Sequence, residues 1–319
     1  MAANTEAARG RAADTPSEIP SAGWRDVLWR VKDEMTKDNL SLVAAGVAFY
    51  ALLAIFPAIA ALVSIYGLAV DPQTASDQLG AMSQMLPEQA RGIIEEQLTS
   101  VASGAPTALG VGAIVGLLLT LWSANKGTQS LITALNIVYD EEEKRGFVRL
   151  TLISLGLTLG IILFLILCLA AIAAMPVLLG NLGLPEDVRR LASWLRWPIL
   201  GIAFVIALAV LYRFAPSRDE PRWRWVSWGA VVATVLWLVG SALFSWYVSN
   251  FGSYNETYGS IGAVAVLMMW LWLSALIVLL GAELNAEMEH QTRRDTTRGH
   301  DRPLGKRGAH VADTVGEQP

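Results

Sequence analysis

Six long runs of apolar residues, separated by polar segments, dominate the pattern along this chain. They lie at about residues 42–68, 107–124, 150–176, 194–213, 226–248 and 260–283. A helix needs roughly 20 apolar residues to cross the hydrocarbon core of a bilayer. Because hydrocarbon offers the backbone no hydrogen-bond partner, each run is expected to be helical. The pattern therefore predicts an all-α, polytopic membrane bundle of six transmembrane helices.

Composition supports the membrane assignment. The chain is 54% hydrophobic and 16% charged, whereas soluble domains average about 25% charged residues. The net charge of -4 carries little information, because the charges lie in loops and tails. The single cysteine, Cys168, excludes an intrachain disulfide. The first twenty residues have no apolar stretch, so no cleavable signal peptide is expected.

Lysine and arginine alternate in number between successive regions outside the spans. The two tails together with the second and fourth loops carry 20 of them, whereas the first, third and fifth loops carry four. Loops rich in lysine and arginine stay in the cytoplasm. Both termini are therefore predicted to be cytoplasmic, and the last outer turn faces the opposite side.

The chain divides into four parts by composition. Residues 1–22 and 290–319 are polar tails, and we expect them to be disordered. Residues 39–289 hold the six spans, with an outer helical loop predicted at 71–106. Residues 23–38 place apolar side chains at helical spacing. This amphipathic helix lies either on the inner membrane face or under the bundle, and its spacing fits both.

A polar stripe follows the second span along one helical face. It contains Asn125, Lys126, Gln129 and Asn136, and it is expected to begin near the cytoplasmic boundary. One interpretation is a stripe that lines a cavity open to the cytoplasm. The other is a helix that has left the lipid and whose polar face is in water. A lysine at mid-bilayer would cost roughly 2.5–3.5 kcal/mol, which makes its depth informative.

The cytoplasmic end of the sixth span carries the segment GAELNAEMEH, which includes Glu283 and Asn285. Glu283 and Glu287 are four residues apart and share a helix face. Glu283 is expected to pair with a cation, to carry a proton, or to lie as a charged helix end among the headgroups. In the first span, Pro57 removes a backbone hydrogen bond and predicts a kink.

The outer turn before the sixth span has the sequence NFGSYNETYGSIGAV and no lysine or arginine. Gly259 and Gly262 give its backbone conformational freedom. Tyr254 and Tyr258 suit the membrane interface, since their rings are apolar and their hydroxyls polar. The turn is interpreted as a flexible gate over an outward cavity.

Motifs for hydrolytic chemistry are absent from the sequence. The three histidines are all in the carboxyl tail and the cysteine is isolated, whereas a zinc site uses three or four such ligands. There is neither a phosphate-binding GxxxxGK[ST] loop nor a GxSxG nucleophile turn. The chain is therefore not expected to be an enzyme or to hold a metal or cofactor.

Four segments resemble motifs of one family. In chain order they are NLSLVAAGVAFYALLAIFP, LWSANKGTQSLITALNIVY, LYRFAP and YGSIGAVAVLMMWLWLSALIVLLGAELNAE. Together they resemble the YihY/BrkB family of bacterial inner-membrane proteins, over about Trp24 to Glu289. The resemblance implies a multi-pass protein of the bacterial cell inner membrane. It also brings the family's labels of ribonuclease BN and of virulence factor.

The leading functional hypothesis is a transporter, or a protein that handles lipids or other amphiphiles, with an unknown substrate. The alternative is a non-transporting membrane scaffold or an envelope-integrity or virulence factor. A membrane-bound ribonuclease is the remote alternative. Membrane lipids are the expected partners, no nucleic acid is expected, and a homo-oligomer stays open.

Overall fold

The computed structural model describes residues 8–69, 109–169, 171, 185–251 and 260–318. In these residues the backbone is helical and has no strand, apart from one isolated antiparallel bridge between Pro221 and Thr297. A one-turn 3-10 helix spans Pro16–Glu18. The α-helices are α1 Ser21–Lys37, α2 Leu40–Ala69, α3 Leu109–Val138, α4 Phe147–Leu169, α5 Glu186–Phe214, α6 Trp223–Phe251, α7 Ser260–Gln291 and α8 His310–Asp313.

Each of the six predicted runs overlaps one of the helices α2 to α7, which are 23 to 32 residues long. In the described part of the chain, α4 to α7 are each long and apolar enough to cross a membrane. The pair α1 and α2, bent by 63° at its break, is a fifth candidate if it counts as one span. The predicted all-helical membrane protein is confirmed, whereas the number six and the cytoplasmic termini stay predictions.

Helices α2 to α7 form a closed ring. Each helix packs against the next one in the chain, and α7 packs against α2. Helix α7 also contacts α1, α3 and α8. The outer faces keep many large apolar side chains exposed, as expected for surfaces that meet lipid tails. Examples are Leu152, Ile202, Leu238 and Leu243.

A close helix crossing joins α6 to α7 through two glycines. A β-carbon on Gly229 would overlap the carbonyl oxygen of Gly281, and one on Gly281 would lie 2.6 Å from the β-carbon of Ala233. The amide of Gly229 donates a 2.8 Å hydrogen bond to Oδ1 of Asn285. Small residues thus allow the backbones to approach. By contrast, a β-carbon on Gly156 of α4 would have nothing within 4 Å.

One end of the bundle is covered by polar segments, and we call it the polar end. It consists of residues 139–146 between α3 and α4, residues 215–222 between α5 and α6, and the described tail residues 8–20 and 292–318. Backbone hydrogen bonds join these segments, as between the amide of Asp219 and the carbonyl of Gly308 at 3.0 Å. These segments bury four charged residues, which are Arg11, Glu141, Asp295 and Arg307.

The described tail residues make defined contacts, although disorder was predicted for both tails. The guanidinium of Arg307 is buried and donates to the carbonyls of Arg293, Arg294, Arg302 and Ala312. One buried cation thereby fixes several turns of an otherwise polar segment. Composition alone cannot show this, because the arginine organises the backbone rather than burying apolar side chains.

Helix α1 packs against the end of α7. Val27 and Val31 are buried in one cluster with Leu284 and Met288. On the opposite face of α1, Trp29 is 41% exposed. Of the two positions that the sequence left open, these contacts favour the one under the bundle.

The α6–α7 crossing yields a prediction on stability. Gly229→Ala is expected to lower the free energy of unfolding by about 1–3 kcal/mol, the usual cost of overpacking. Gly156→Ala is the matched control, because its new methyl group enters open space. Unfolding of both variants by SDS titration in mixed micelles measures the difference. Equal stability of the two variants would contradict the crossing.

Candidate functional site

The structure separates the polar stripe of α3 into a buried half and an exposed half. In the buried half, Oδ1 of Asn125 accepts a 3.1 Å hydrogen bond from the hydroxyl of Thr158 on α4. That hydroxyl also lies 2.7 Å from the hydroxyl of Thr128. Asn136 accepts a 2.7 Å bond from the amide of Ser217 and donates a 3.1 Å bond to Glu143. Asn125 and Asn136 therefore join α3 to its neighbours.

The exposed half of the stripe belongs to one face of α3. This exposed α3 face contains Leu118, Trp122, Lys126, Gln129 and Thr133. At 100° per residue they fall within about 80° of arc. Nζ of Lys126 donates a 3.3 Å hydrogen bond to Oε1 of Gln129. Along the helix this face passes from the apolar Leu118 and Trp122, through Lys126, to the polar Gln129 and Thr133, and the exposed Ile137 follows them.

Lys126 lies within α3, well before the last residue of that helix. It is twelve residues before the last residue of α3, Val138, which is about 18 Å along the helix axis. Its neighbour Gly127 faces Ala54 and the backbone of Tyr50, which are ten or more residues into α2. The expected position of Lys126 near the cytoplasmic boundary stays a prediction.

Three carboxylates near the end of α7 are buried, although the sequence left open a charged helix end among headgroups. Glu287 pairs with Arg30 of α1, whose guanidinium also donates to Oε1 of Gln291 at 2.8 Å. Glu289 pairs with Arg218 at 2.7 Å and accepts a 2.6 Å bond from Thr296. In the described part of the chain, Oε2 of Glu283 has no hydrogen-bond partner.

Asn285 holds the α6–α7 crossing. Its Oδ1 accepts from the amide of Gly229, and its Nδ2 donates to the carbonyl of Val226 at 3.2 Å. Asn285 is fully buried, so these bonds satisfy an amide that would otherwise be costly to bury. The residue was a predicted cavity or gate residue, and the contacts give it a role in packing.

The predicted outer gate falls mostly outside the described residues. Tyr254, Tyr258 and Gly259 lie outside them, as does the predicted outer loop at 71–106. Gly262 is buried in the first turn of α7. Helix α2 continues through Pro57, and the kink there stays a prediction.

Several charged residues that the sequence analysis did not single out form ion pairs or hydrogen bonds at the buried polar groups described above. Arg30 lies in the amphipathic pattern of α1, and Arg218 follows the LYRFAP segment. Burial, followed by the negative charges of Asp140 and Glu34, raises the pKa of Asp38 to about 6. Burial alone would raise the pKa of Glu143, but hydrogen bonds from Arg145 and Asn136 lower it to about 2. No sequence motif marks the pairs of Arg30 with Glu287 and of Arg218 with Glu289, because their partners are 257 and 71 residues apart in the chain.

Among the described residues, no group of three or more histidine, cysteine, aspartate or glutamate side chains is placed to hold a metal ion. Comparison with known families then decides the class of protein. The family described as virulence factor BrkB matches residues 31–304. This chain belongs to the BrkB family. The resemblance seen in the sequence is thereby confirmed.

Relatives of this BrkB-family protein carry names that describe a membrane protein or an unproven activity. The putative ribonuclease-like protein YfkH of Bacillus subtilis (strain 168) is 33% identical over 76% of this chain and 88% of its own length. The UPF0761 membrane protein IL2447 of Idiomarina loihiensis is 28% identical over 61% of this chain and 66% of its own length. The UPF0761 membrane protein PBPRA3489 of Photobacterium profundum is 29% identical over 79% of this chain and 77% of its own length.

No solved structure matches the chain. The BrkB family has no established catalytic activity, and the ribonuclease-like name belongs to a relative. The expectation that this chain is not an enzyme stays a prediction, and the substrate of the family stays open.

The buried ion pair at the polar end yields a second prediction. Arg218→Ala would leave the Glu289 carboxylate buried without its cation, and it is expected to cost about 3–5 kcal/mol of unfolding free energy. Arg190→Ala is the matched control, because its pair with Glu186 is exposed and such pairs contribute about 0–1 kcal/mol. SDS titration measures the unfolding free energy of both variants. A loss no larger for Arg218→Ala than for Arg190→Ala would contradict a stabilising buried ion pair.

Proposed function

We propose that this BrkB-family protein binds and moves an amphiphile with an anionic group at the bacterial cytoplasmic membrane. The proposal includes six spans and cytoplasmic tails, as the lysine and arginine distribution predicts. The observation that carries it is the exposed side chain of Lys126, about 18 Å along α3 from the polar end.

A charge at that depth restricts what surrounds it. A lysine in hydrocarbon costs roughly 2.5–3.5 kcal/mol at the centre of a helix. Its side chain reaches about one helical turn, too short to place the ammonium group at the polar end. Gln129 and Thr133 continue the polar line from Lys126 towards that end. The exposed α3 face is therefore best explained as the wall of a hydrated groove.

The order of residues on this face matches the shape of an amphiphile. Leu118 is 60% exposed and Trp122 46% exposed, and both precede the lysine on the same face. An acyl or polyprenyl chain fits the apolar part, while a phosphate or carboxylate group fits the ammonium of Lys126. The apolar part and the cation both belong to α3. The match therefore does not depend on the segments outside the described residues.

Native mass spectrometry of protein extracted with its surrounding lipid tests the proposal. The wild type is expected to retain an anionic amphiphile above its share of the membrane, and Lys126→Leu is expected to lose it. Lys32→Leu is the matched control, because Lys32 is exposed on α1, outside the ring of α2 to α7. If all three proteins retain only bulk lipid in proportion to its abundance, the scaffold hypothesis replaces transport.

A further inference from the structure

Helices α2 and α3 meet closely beside Lys126, and we call this contact the α2–α3 seam. A β-carbon on Gly127 would lie 3.2 Å from the β-carbon of Ala54 and 3.4 Å from the carbonyl oxygen of Tyr50. The small residues at positions 54 and 127 thus let the two backbones approach. Because Lys126 directly precedes Gly127, its side chain starts beside the backbone of Tyr50.

The side chains of Tyr50 and Lys126 both reach the outer surface of the bundle at this seam. Tyr50 is 44% exposed, and Lys126 is also exposed. At 100° per residue, Tyr50 lies about 40° around α2 from Ala54, which meets α3. Its exposed neighbour Phe49 lies about 140° from Ala54. Tyr50 is therefore on the α3 side of the exposed surface of α2, whereas Phe49 points away from α3.

The two polar side chains lie at similar distances from the polar end. Tyr50 is ten residues after Leu40, the first residue of α2, which is about 15 Å along the helix axis. The corresponding distance for Lys126 is about 18 Å, measured from the last residue of α3. Neither helix has a carboxylate, and Nζ of Lys126 contacts the neutral Gln129. The seam thus offers a cation and a hydroxyl at one level, and an anion would complement them.

Apolar side chains continue the surface from this pair in one direction, away from the polar end. On α2, Leu53 follows Tyr50 by about one turn and is 51% exposed. On α3, Trp122 precedes Lys126 by about one turn and is 46% exposed. Because α2 runs away from the polar end and α3 runs towards it, both apolar residues are on the same side of the pair. This arrangement fits an amphiphile whose charged group is at the pair and whose chains extend away from the polar end.

We propose that Tyr50 and Lys126 together bind the phosphate group of a membrane phospholipid at the α2–α3 seam. The inference rests on the proposed function and deepens it, because it adds a residue that selects the anionic group. The ammonium of Lys126 supplies the charge, and the hydroxyl of Tyr50 donates to a second phosphate oxygen. A phosphate has several strong acceptor oxygens that point in different directions. It can therefore accept hydrogen bonds from two helices at once.

Native mass spectrometry of the full-length protein titrated with dioctanoyl phosphatidic acid tests the inference. The reference ligand is dioctanoylglycerol, which has the same chains and no phosphate. Wild type is expected to prefer phosphatidic acid. Tyr50→Phe removes only the hydroxyl and is expected to weaken this binding about tenfold, as loss of a hydrogen bond to a charged group does. Tyr247→Phe is the matched control and is expected to bind as wild type does, because Tyr247 is 40% exposed on α6, outside the seam.

A second measurement tests the position of the site without a ligand. In a Cys168→Ala background, Tyr50→Cys and Phe49→Cys would be treated with a charged thiol reagent in open membrane fragments, which expose both faces. The two positions are adjacent in α2, but only position 50 is on the α3 side. A thiol reacts as the thiolate, which requires water, so position 50 is expected to react about tenfold faster.

The outcomes separate this inference from the proposed function. If Lys126→Leu loses phosphatidic acid while Tyr50→Phe binds it as wild type does, the inference is overturned and the proposed function stands. Equal binding of the two ligands by wild type would contradict both. Equal thiol reactivity at positions 49 and 50 would contradict a hydrated site at the α2–α3 seam.

Discussion

A charge inside a membrane bundle needs a counter-charge, a proton or water, because lipid tails supply none of these. At the polar end this requirement is met mostly by ion pairs. Arg30 and Arg218 meet the carboxylates of Glu287 and Glu289, and Arg307 is met by backbone carbonyls. The packing of α1 and of the carboxyl tail against α7 depends on these contacts. Without them, the end of α7 would bury uncompensated charge.

Two groups stand apart from this pattern, and Lys126 carries the functional argument. Under the proposed function, Lys126 lines a hydrated groove, because hydrocarbon would not solvate its ammonium group. Glu283 is 1% exposed, and its Oε2 has no hydrogen-bond partner among the described residues. Both lie on helices that contact each other, α3 and α7. Under the proposed function, Lys126 marks the place of the cargo.

Local patterns in the sequence predicted the helices and some of the contacts. The apolar runs located α2 to α7, since hydrophobic length needs no knowledge of partners. At the α6–α7 crossing, Gly229 and Ala233 of α6 meet Gly281 of α7. The periodicity of residues 23–38 predicted α1. The GAELNAE segment placed Glu283 and Asn285 on the right helix, and the packing contact of Asn285 emerged only from the position of Gly229.

Contacts between residues far apart in the chain could not be predicted from the sequence. The polar stripe lies on one face of α3. Asn125 of this stripe is buried against α4, where it accepts a hydrogen bond from Thr158. Asn136 is buried where it accepts a hydrogen bond from the amide of Ser217, in the segment between α5 and α6. The tails have the composition of disordered segments, whereas their arginines find carbonyls and carboxylates at the polar end. Separations of 33 and 81 residues leave no local signal.

The hydration of Lys126 is the central claim, and thiol accessibility tests it most directly. In a Cys168→Ala background, Lys126→Cys would be treated in intact membranes with a charged, membrane-impermeant thiol reagent. Leu163→Cys is the reference, because Leu163 is 57% exposed on α4 within an apolar run. A thiol reacts as the thiolate, which requires water. The account predicts that position 126 reacts at least tenfold faster than position 163, whereas equal rates would place Lys126 in lipid and contradict it.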